Sequence, residues 1–385
     1  MLISLRASDK GFLAYKRGLE VTKLRKQKRK SSKVGIIVPS NVGMAPYLKY
    51  YTDILEKKGI ETVTISWNRF GINEDADYIF DYRTENYDRK RVLVGHIRFA
   101  KFCKRMLKKE KVGKLIVFTM APAFFLGLGF LNSYKDRLII DVRDDTPFRE
   151  RFPKLFTLIT NKAYAVVVSS PLYSNWFNRE TVLCHNVDMS MLNQYKDTSV
   201  PVPSLEKIRV VFAGSMREAK INIQVVDVLK NDNHFSMTFI GRENAGIKEI
   251  QKHVIEHGIS NVFFEGAYKK EDIIEIYKGK ADLVNAFRER SLINTNALPN
   301  KMYDAVVSGI PIVIFRHNKA MSTYVENYSL GLALEEDMTT LKNDIFEKMK
   351  KFDYASFMSG RQSFLEKVET DMKYFELKVL DFIEI

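Results

Sequence analysis

Cysteine is nearly absent from this chain: Cys103 and Cys184 are the only two in 385 residues. No CxxC spacing occurs, so neither a zinc ribbon nor a disulfide framework can be argued, and a reducing cytoplasmic setting fits best. Long apolar runs are scarce too. The uncharged stretch Leu115–Leu131 (LIVFTMAPAFFLGLGFL) has seventeen residues, at the bottom of the spanning range, and Pro122, Gly127 and Gly129 interrupt it. It reads as a buried strand (Lys114–Met120), a turn and a short buried helix. The N-terminus lacks the apolar core of about 7–15 residues and the small-residue cleavage site of a secretory signal. No short repeat is present. No nucleic-acid recognition motif stands out, and the basic stretches lack an RNP-like aromatic pattern.

What is present in excess is positive charge. The net charge is +14, unevenly placed. Residues 1–33 hold eleven Lys/Arg against two acids, and residues 89–114 hold eleven against Glu110 alone, so the remainder is mildly acidic. Two basic regions on an acidic body suit a surface that meets polyanions, either anionic lipid or nucleic acid; the plainer alternative is a solvated face and a loose tail. In the N-terminal arm Leu2, Ile3, Leu5, Phe12, Leu13, Tyr15 and Leu19 are interleaved with charge, which suits a surface helix rather than a span.

Hydropathy along the chain alternates strand with helix. KVGIIVPS (33–40) is a short buried run of parallel-strand type, a helical pattern ends at Lys58-Gly59, and IETVTISW (60–67) is the next strand. That βαβ order implies a parallel, doubly wound α/β sheet. Residues 91–111 predict a basic amphipathic helix, and KLIVFTM, RLIIDVRD, AVVVSS and VLCHNVD continue the strands. Residues 190–208 lose all periodicity and carry two prolines, the mark of a linker. The pattern then restarts with IRVVFAGS and runs to IPIVIF (310–315), its last clear strand, before a helical tail. The expected organisation is a basic arm (1–33), an N-terminal Rossmann-like domain (34–190), a linker (191–207), a C-terminal Rossmann-like domain (208–350) and a helical tail (351–385) packing back on the N-terminal domain.

Open α/β sheets hold ligands at the carboxyl ends of their strands, so the loops there carry the functional expectations. In FAGSMREAK (212–220) a glycine, Gly214, permits close backbone approach, and Arg217 and Lys220 can neutralise a diphosphate, although cations after a strand are more often merely solvated. FIGRE and FEGAY each end a strand in a glycine, Gly241 and Gly266, where a flat base could lie against backbone. LPNKMYDAVVSGIPIV (298–313) places Pro299 at a first helical position and Gly309 at the stop. The free amides of that first turn favour phosphate, Lys301 would add charge, and Asp304 could accept hydroxyl protons from a sugar. A plain αβ unit with a surface Lys–Asp pair is the alternative.

In spacing and order, FAGSMREAK, FEGAYKKEDIIEIYKGKADLVNAF, NALPNKMYDAVVSGIPIV and YSLGLAL resemble the family 4-like glycosyltransferases of the GT-B fold, over most of residues 208–335. LIIDVRDDTP, VVVSSPLYSNWF and VLCHNVD extend the likeness, more loosely, into the first half. The chain is most similar to bacterial capsule or exopolysaccharide transferases. The resemblance implies two Rossmann-like domains facing a cleft. Arg217 and Lys220 would hold the donor diphosphate, backbone around Gly241 and Gly266 the base, and Asp304 the ribose. Asn296 and Asp304 stand where the family carries two glutamates, and Arg143-Asp144 where it often has His-Asp. Catalytic roles would fall to Asp144, Asn296 and Arg143. The reaction would retain anomeric configuration and need no bound metal or cofactor, the nucleotide sugar being a substrate. Asp144-Asp145 comes near a metal-holding Asp-x-Asp, and Asp75-Ala-Asp77 has its spacing. A lipid-linked glycan acceptor against the first half, with residues 1–33 and 89–114 on an anionic membrane, would place the protein at the inner face of the cell membrane, without nucleic acid. A nucleotide-sugar epimerase on the same frame and a non-catalytic partner subunit are the rival readings.

Overall fold

The computed structural model describes residues 33–84, 89–195 and 206–385. Two all-parallel sheets organise them. The first contains β1 (Val34–Val38), β2 (Thr62–Asn68), β3 (Tyr78–Asp81), β4 (Lys114–Phe118), β5 (Leu138–Val142), β6 (Ala165–Val168) and β7 (Val182–Leu183), in the order β3-β2-β1-β4-β5-β6-β7. The second contains β8 (Ile208–Ala213), β9 (Phe235–Ile240), β10 (Val262–Glu265), β11 (Leu283–Asn285), β12 (Ile312–Phe315) and β13 (Gly331–Leu334), in the order β10-β9-β8-β11-β12-β13. Every residue of β1, β4, β5 and β6 is buried. Continuous apolar strands of this kind belong to sheets covered on both faces. In each sheet the order reverses beside the first strand, between β1 and β4 and between β8 and β11. The crevice outside the strand ends at such a point is where these sheets hold ligands. This is the GT-B-like arrangement of two Rossmann-like halves.

The C-terminal helix, Tyr354–Glu384, crosses from one half to the other. Near its start the buried Arg361 guanidinium donates to the carbonyls of Val306 (2.7 Å), Val307 (3.0 Å) and Tyr195 (3.0 Å). Further along, Phe375 meets Tyr51 edge-on at 5.0 Å and Phe382 lies 5.7 Å from Tyr164, both in the first half. At its end the buried Lys114 ammonium donates to the carbonyls of Phe382 and Ile383. A cation there also meets the negative end of the helix dipole. One core cluster therefore runs from Val34 and Ile116 through Met302 and Tyr303 to Val379 and Phe382.

Several boundaries differ from expectation. A helix, Met189–Tyr195, occupies the start of the expected 191–207 linker, with Leu192 buried as its anchor. Residues 196–205 of that linker and 1–32 of the basic arm lie outside the described residues; Lys33 pairs with Glu61 and Glu110. The run Leu115–Leu131 divides into β4 and the short helices Met120–Leu126 and Leu128–Asn132. Among the described residues no helix is long and apolar enough to cross a membrane. The basic helix is Arg89–Lys109. Strands β3 and β13 were not expected. The first is a four-residue edge strand alternating half-buried with exposed positions, and the second, Gly-Leu-Ala-Leu, has no β-branched or aromatic residue to mark it as a strand.

Candidate active site

The second sheet builds one wall. Gly214, just past β8, has φ +127°, a conformation open to glycine and costly to other residues. Its N–H donates to the Ile240 carbonyl at 2.9 Å, and a Cβ on Gly241 would run into its own carbonyl. The two glycines thus let the loops after β8 and β9 touch. Gly266, after β10, has open space around it. The β8 loop then presents Arg217 and Lys220, both exposed. Between them Glu218 faces inward. It accepts from Arg288 Nε at 3.0 Å, from the Glu289 N–H at 2.6 Å and from Asn294 Nδ2 at 3.3 Å. This fastens the loop after β11 onto the loop after β8, so Arg217 and Arg288 both stand at the switch point.

The helix Asn300–Ser308 forms the rest of that wall. Pro299 is its N-cap and not its first helical residue, because its ψ of 152° is extended. The Met302 N–H reaches back to the Pro299 carbonyl at 3.0 Å, and the amides before it have no partner inside the helix, as at every helix start. Gly309 closes it in the left-handed region, φ 73°, its N–H reaching the Ala305 and Val306 carbonyls. Lys301 turns inward, its Nζ 2.9 Å from the centre of the Phe212 ring. Burial, and secondarily Arg288, push its pKa well below the ordinary lysine value, while Glu218 and Asp304 oppose them. Asp304 is half-buried, and burial raises its carboxyl to about 7 against the pull of Lys270 and Lys301, with Asp188 pushing it further up. Tyr268 and Tyr277 both feel its charge, and the Tyr268 hydroxyl reaches toward Gly214.

The facing wall comes from the first sheet. Asp144 follows β5 and is exposed to the cleft; desolvation by the packing around it raises its carboxyl, and Arg217, Arg143 and Arg288 hold it down. Two of those cations belong to the other half, so Asp144 faces them across the cleft. Thr119, at the end of β4, has φ +63°, an unusual conformation for a β-branched residue at a switch point. Arg143 lies beneath this surface. Its side chain is 4% exposed and held by Asp141 at 2.6 Å, by the Cys184 carbonyl at 3.0 Å and by Asn186 Oδ1 at 3.0 Å, and it lies 4.7 Å from the Tyr47 ring. Asn296 ends the short helix Leu292–Asn296 and is half-buried at the approach to Pro299.

Of the expected residues, Arg217, Lys301, Asp304 and Asp144 gather about the cleft, whereas Arg143 is engaged below it. Sequence reasoning missed Arg288, Lys270, Glu218 and Asp188. Arg288 had a usable signal, since it follows the strand run ADLVNAF at the kind of strand end where ligands sit. Glu218 gave none, because a carboxylate between two cations reads as surface. Asp77 of the acidic triplet is occupied by the Thr64 N–H at 2.7 Å. Among the described residues no cluster of three or more His, Cys, Asp or Glu could hold a metal ion.

No protein-family model matches the chain, and no curated protein sequence does. Solved structures do. The chain superposes on sucrose-phosphate synthase from Thermosynechococcus elongatus with a TM-score of 0.60 and 14% identity, covering 91% of this chain and 97% of that one. Anabaena HepE, solved in complex with UDP and glucose, gives 0.58 and 14%, over 89% and 98%. UDP-N-acetylglucosamine 2-epimerase from Rickettsia bellii gives 0.61 and 11%, over 92% and 98%. At these identities the likeness establishes the fold, one that serves both transfer and epimerisation among its members.

Proposed function

We propose that the protein is a glycosyltransferase that moves a sugar from a nucleotide-diphosphate donor to a glycan acceptor, lipid-linked, in cell-surface polysaccharide synthesis. The observation that carries this reading is the convergence at one cleft of Arg217, Arg288, the start of helix Asn300–Ser308 and Asp304 on the second half, opposite Asp144 on the first. Arg217, Lys220 and the free amides beyond Pro299 would neutralise the leaving diphosphate, a task electrostatic preorganisation performs without a metal ion. Lys301, in the same wall, would add positive charge beside phosphate. Asp304 would accept the ribose hydroxyls, and the loops at Gly214, Gly241 and Gly266 would receive the base. Asn296 would contact the transferred sugar, and Asp144 would face the acceptor. The outcome at the anomeric carbon would be retention.

The helix Arg89–Lys109 supports a membrane-side location at the inner face of the cell membrane. Its exposed face carries Lys90, Arg91, Arg98, Lys101, Arg105 and Lys108, with Leu93, Val94 and Ile97 among them. Cations around an apolar centre suit an anionic lipid surface and give a nucleic acid no reason for the apolar residues. Purified protein incubated with UDP-, GDP- and ADP-sugars should release nucleotide from one of them, faster with lipid-linked glycan present. Interconversion of the nucleotide sugar without release would establish the epimerase instead. Binding of none, by folded protein, would overturn the enzyme reading.

A further inference from the structure

Three residues following β7, Cys184-His185-Asn186, touch both halves of the molecule. Arg143 donates to the Cys184 carbonyl (3.0 Å), to the Cys184 Sγ (3.2 Å) and to Asn186 Oδ1 (3.0 Å). Asn186 Nδ2 in turn donates to the carbonyl of Leu298 at 3.3 Å, immediately before Pro299. His185 is fully buried, its Nδ1 2.7 Å from the Tyr303 hydroxyl and its Nε2 2.9 Å from Asp371 Oδ2. Tyr303 neighbours Asp304 on the helix Asn300–Ser308, and Asp371 belongs to the C-terminal helix. Arg143 is itself anchored by Asp141, whose second oxygen accepts from the Tyr51 hydroxyl at 2.7 Å.

The protons can be placed. Burial holds the His185 ring below its ordinary pKa, so it is neutral and has one N–H. Although burial raises Asp371, its bonds from His185 and Lys367 bring its carboxyl below the usual range, so it only accepts. The proton therefore sits on Nε2, and Nδ1 accepts from the Tyr303 O–H. Each of these buried groups has a partner, and deleting one strands another in a medium that cannot solvate it.

We propose that Arg143, His185 and Asn186 are positioning residues: together they clamp the start and first turn of the Asn300–Ser308 helix to the first sheet, fixing how far the donor wall stands from Asp144. Arg143 acts through Asn186 and does not touch substrate. The clamp is a property of the geometry; its part in transfer rests on the glycosyltransferase reading.

The test measures the separation directly. Spin labels at the exposed positions Lys57 and Lys252, one in each half, report the distance between halves, and the buried native Cys103 and Cys184 leave that labelling clean. The wild-type chain should give one narrow distance. Asn186→Ala combined with Tyr303→Phe should broaden it about twofold, while affinity for UDP, GDP or ADP stays within about twofold, because the nucleotide would sit on the second half alone. With an active donor, kcat should fall about tenfold at nearly constant KM, as loss of one or two buried hydrogen bonds allows. An unchanged distance distribution in the double variant overturns the clamp. So does a tenfold loss of nucleotide affinity at unchanged width, which would make these residues part of the donor pocket. Should Asn186→Ala fail to fold, Tyr303→Phe alone removes a single hydroxyl and gives the same readout. If the wild-type chain binds no nucleotide, the functional reading fails while the label distances still decide the clamp.

Discussion

Asp304 is held half-buried, with its carboxyl raised to about 7, in a position that costs the folded chain stability. Between about pH 4 and 7 the folded form keeps a proton that the unfolded chain has already released, so this group's contribution falls as pH rises through that window. Asp304→Asn should therefore melt higher than wild type at pH 8 and differ little at pH 4, as thermal scans at the two pH values would show. The same change should weaken nucleotide binding by roughly tenfold or more at pH 8, the usual consequence of losing bonds to a charged acceptor. Stability gained and affinity lost together would mark a ligand-binding carboxylate; a loss of both would point to a structural one. Gly214 supplies a second prediction at this scale. With φ +127°, Gly214→Ala should destabilise by about 1–3 kcal/mol in urea unfolding, and Gly266→Ala, with open space around it, by much less. Which glycine carries a conformational demand could not be read from the sequence, because all three looked alike at the ends of strands. Arg143 misled for a related reason: its neighbour Asp144 faces the cleft, and only the packing of Cys184 and Asn186 beneath the sheet shows where the guanidinium goes.

Among the elements, strands announce themselves best when both faces are covered. Leu138–Val142 and Ala165–Val168 have no polar alternation to confuse with a helix except Asp141, and their bounds are close to those the apolar runs imply. Tyr78–Asp81 shows the opposite case, an edge strand with one wet side. The helix Asn300–Ser308 was legible from its proline and its glycine, with only the N-cap shifted by one place. The C-terminal helix was legible as a helix, but Arg361 gave no hint that it binds the last turn of another. Its guanidinium donates to the Val307 carbonyl at the C-terminal end of Asn300–Ser308 and to the Val306 carbonyl, which also accepts from the Gly309 N–H. Arg361→Met should cost about 2–4 kcal/mol through stranded buried carbonyls, and Arg361→Lys should recover only part of it, since an ammonium cannot span three acceptors in one plane. Denaturant midpoints of the two variants would check this.

At the scale of the whole molecule the two-sheet frame was visible as a pattern that stops near residue 190 and restarts near 208. The pairing of surfaces across the cleft was not, because Arg217, Arg288 and Asp144 come from three loops that meet only through the tertiary fold. Net charge was legible, and the structure adds that the cations of Arg89–Lys109 share a face with Leu93, Val94 and Ile97. Vesicles containing phosphatidylglycerol should pellet the protein at low salt, and neutral phosphatidylcholine vesicles should not. Lys101→Glu with Lys108→Glu should cut that binding roughly tenfold or more, since each cation near an anionic leaflet contributes about 1 kcal/mol. Retention on single-stranded DNA with indifference to vesicles would reverse the assignment.

The path of the last helix also sets an order of events during synthesis. Phe375, Val379 and Phe382 fill the same core as Val34, Ile36 and Tyr51, and Lys114 donates to the carbonyls of Phe382 and Ile383. While a ribosome is still translating the second sheet, the first is made but missing one of its walls. It must wait, with apolar surface uncovered, until residues 375–383 have emerged. Nascent chains stalled at about residue 200 should therefore be cleaved readily by protease, whereas those carried past residue 385 on a tether should resist it.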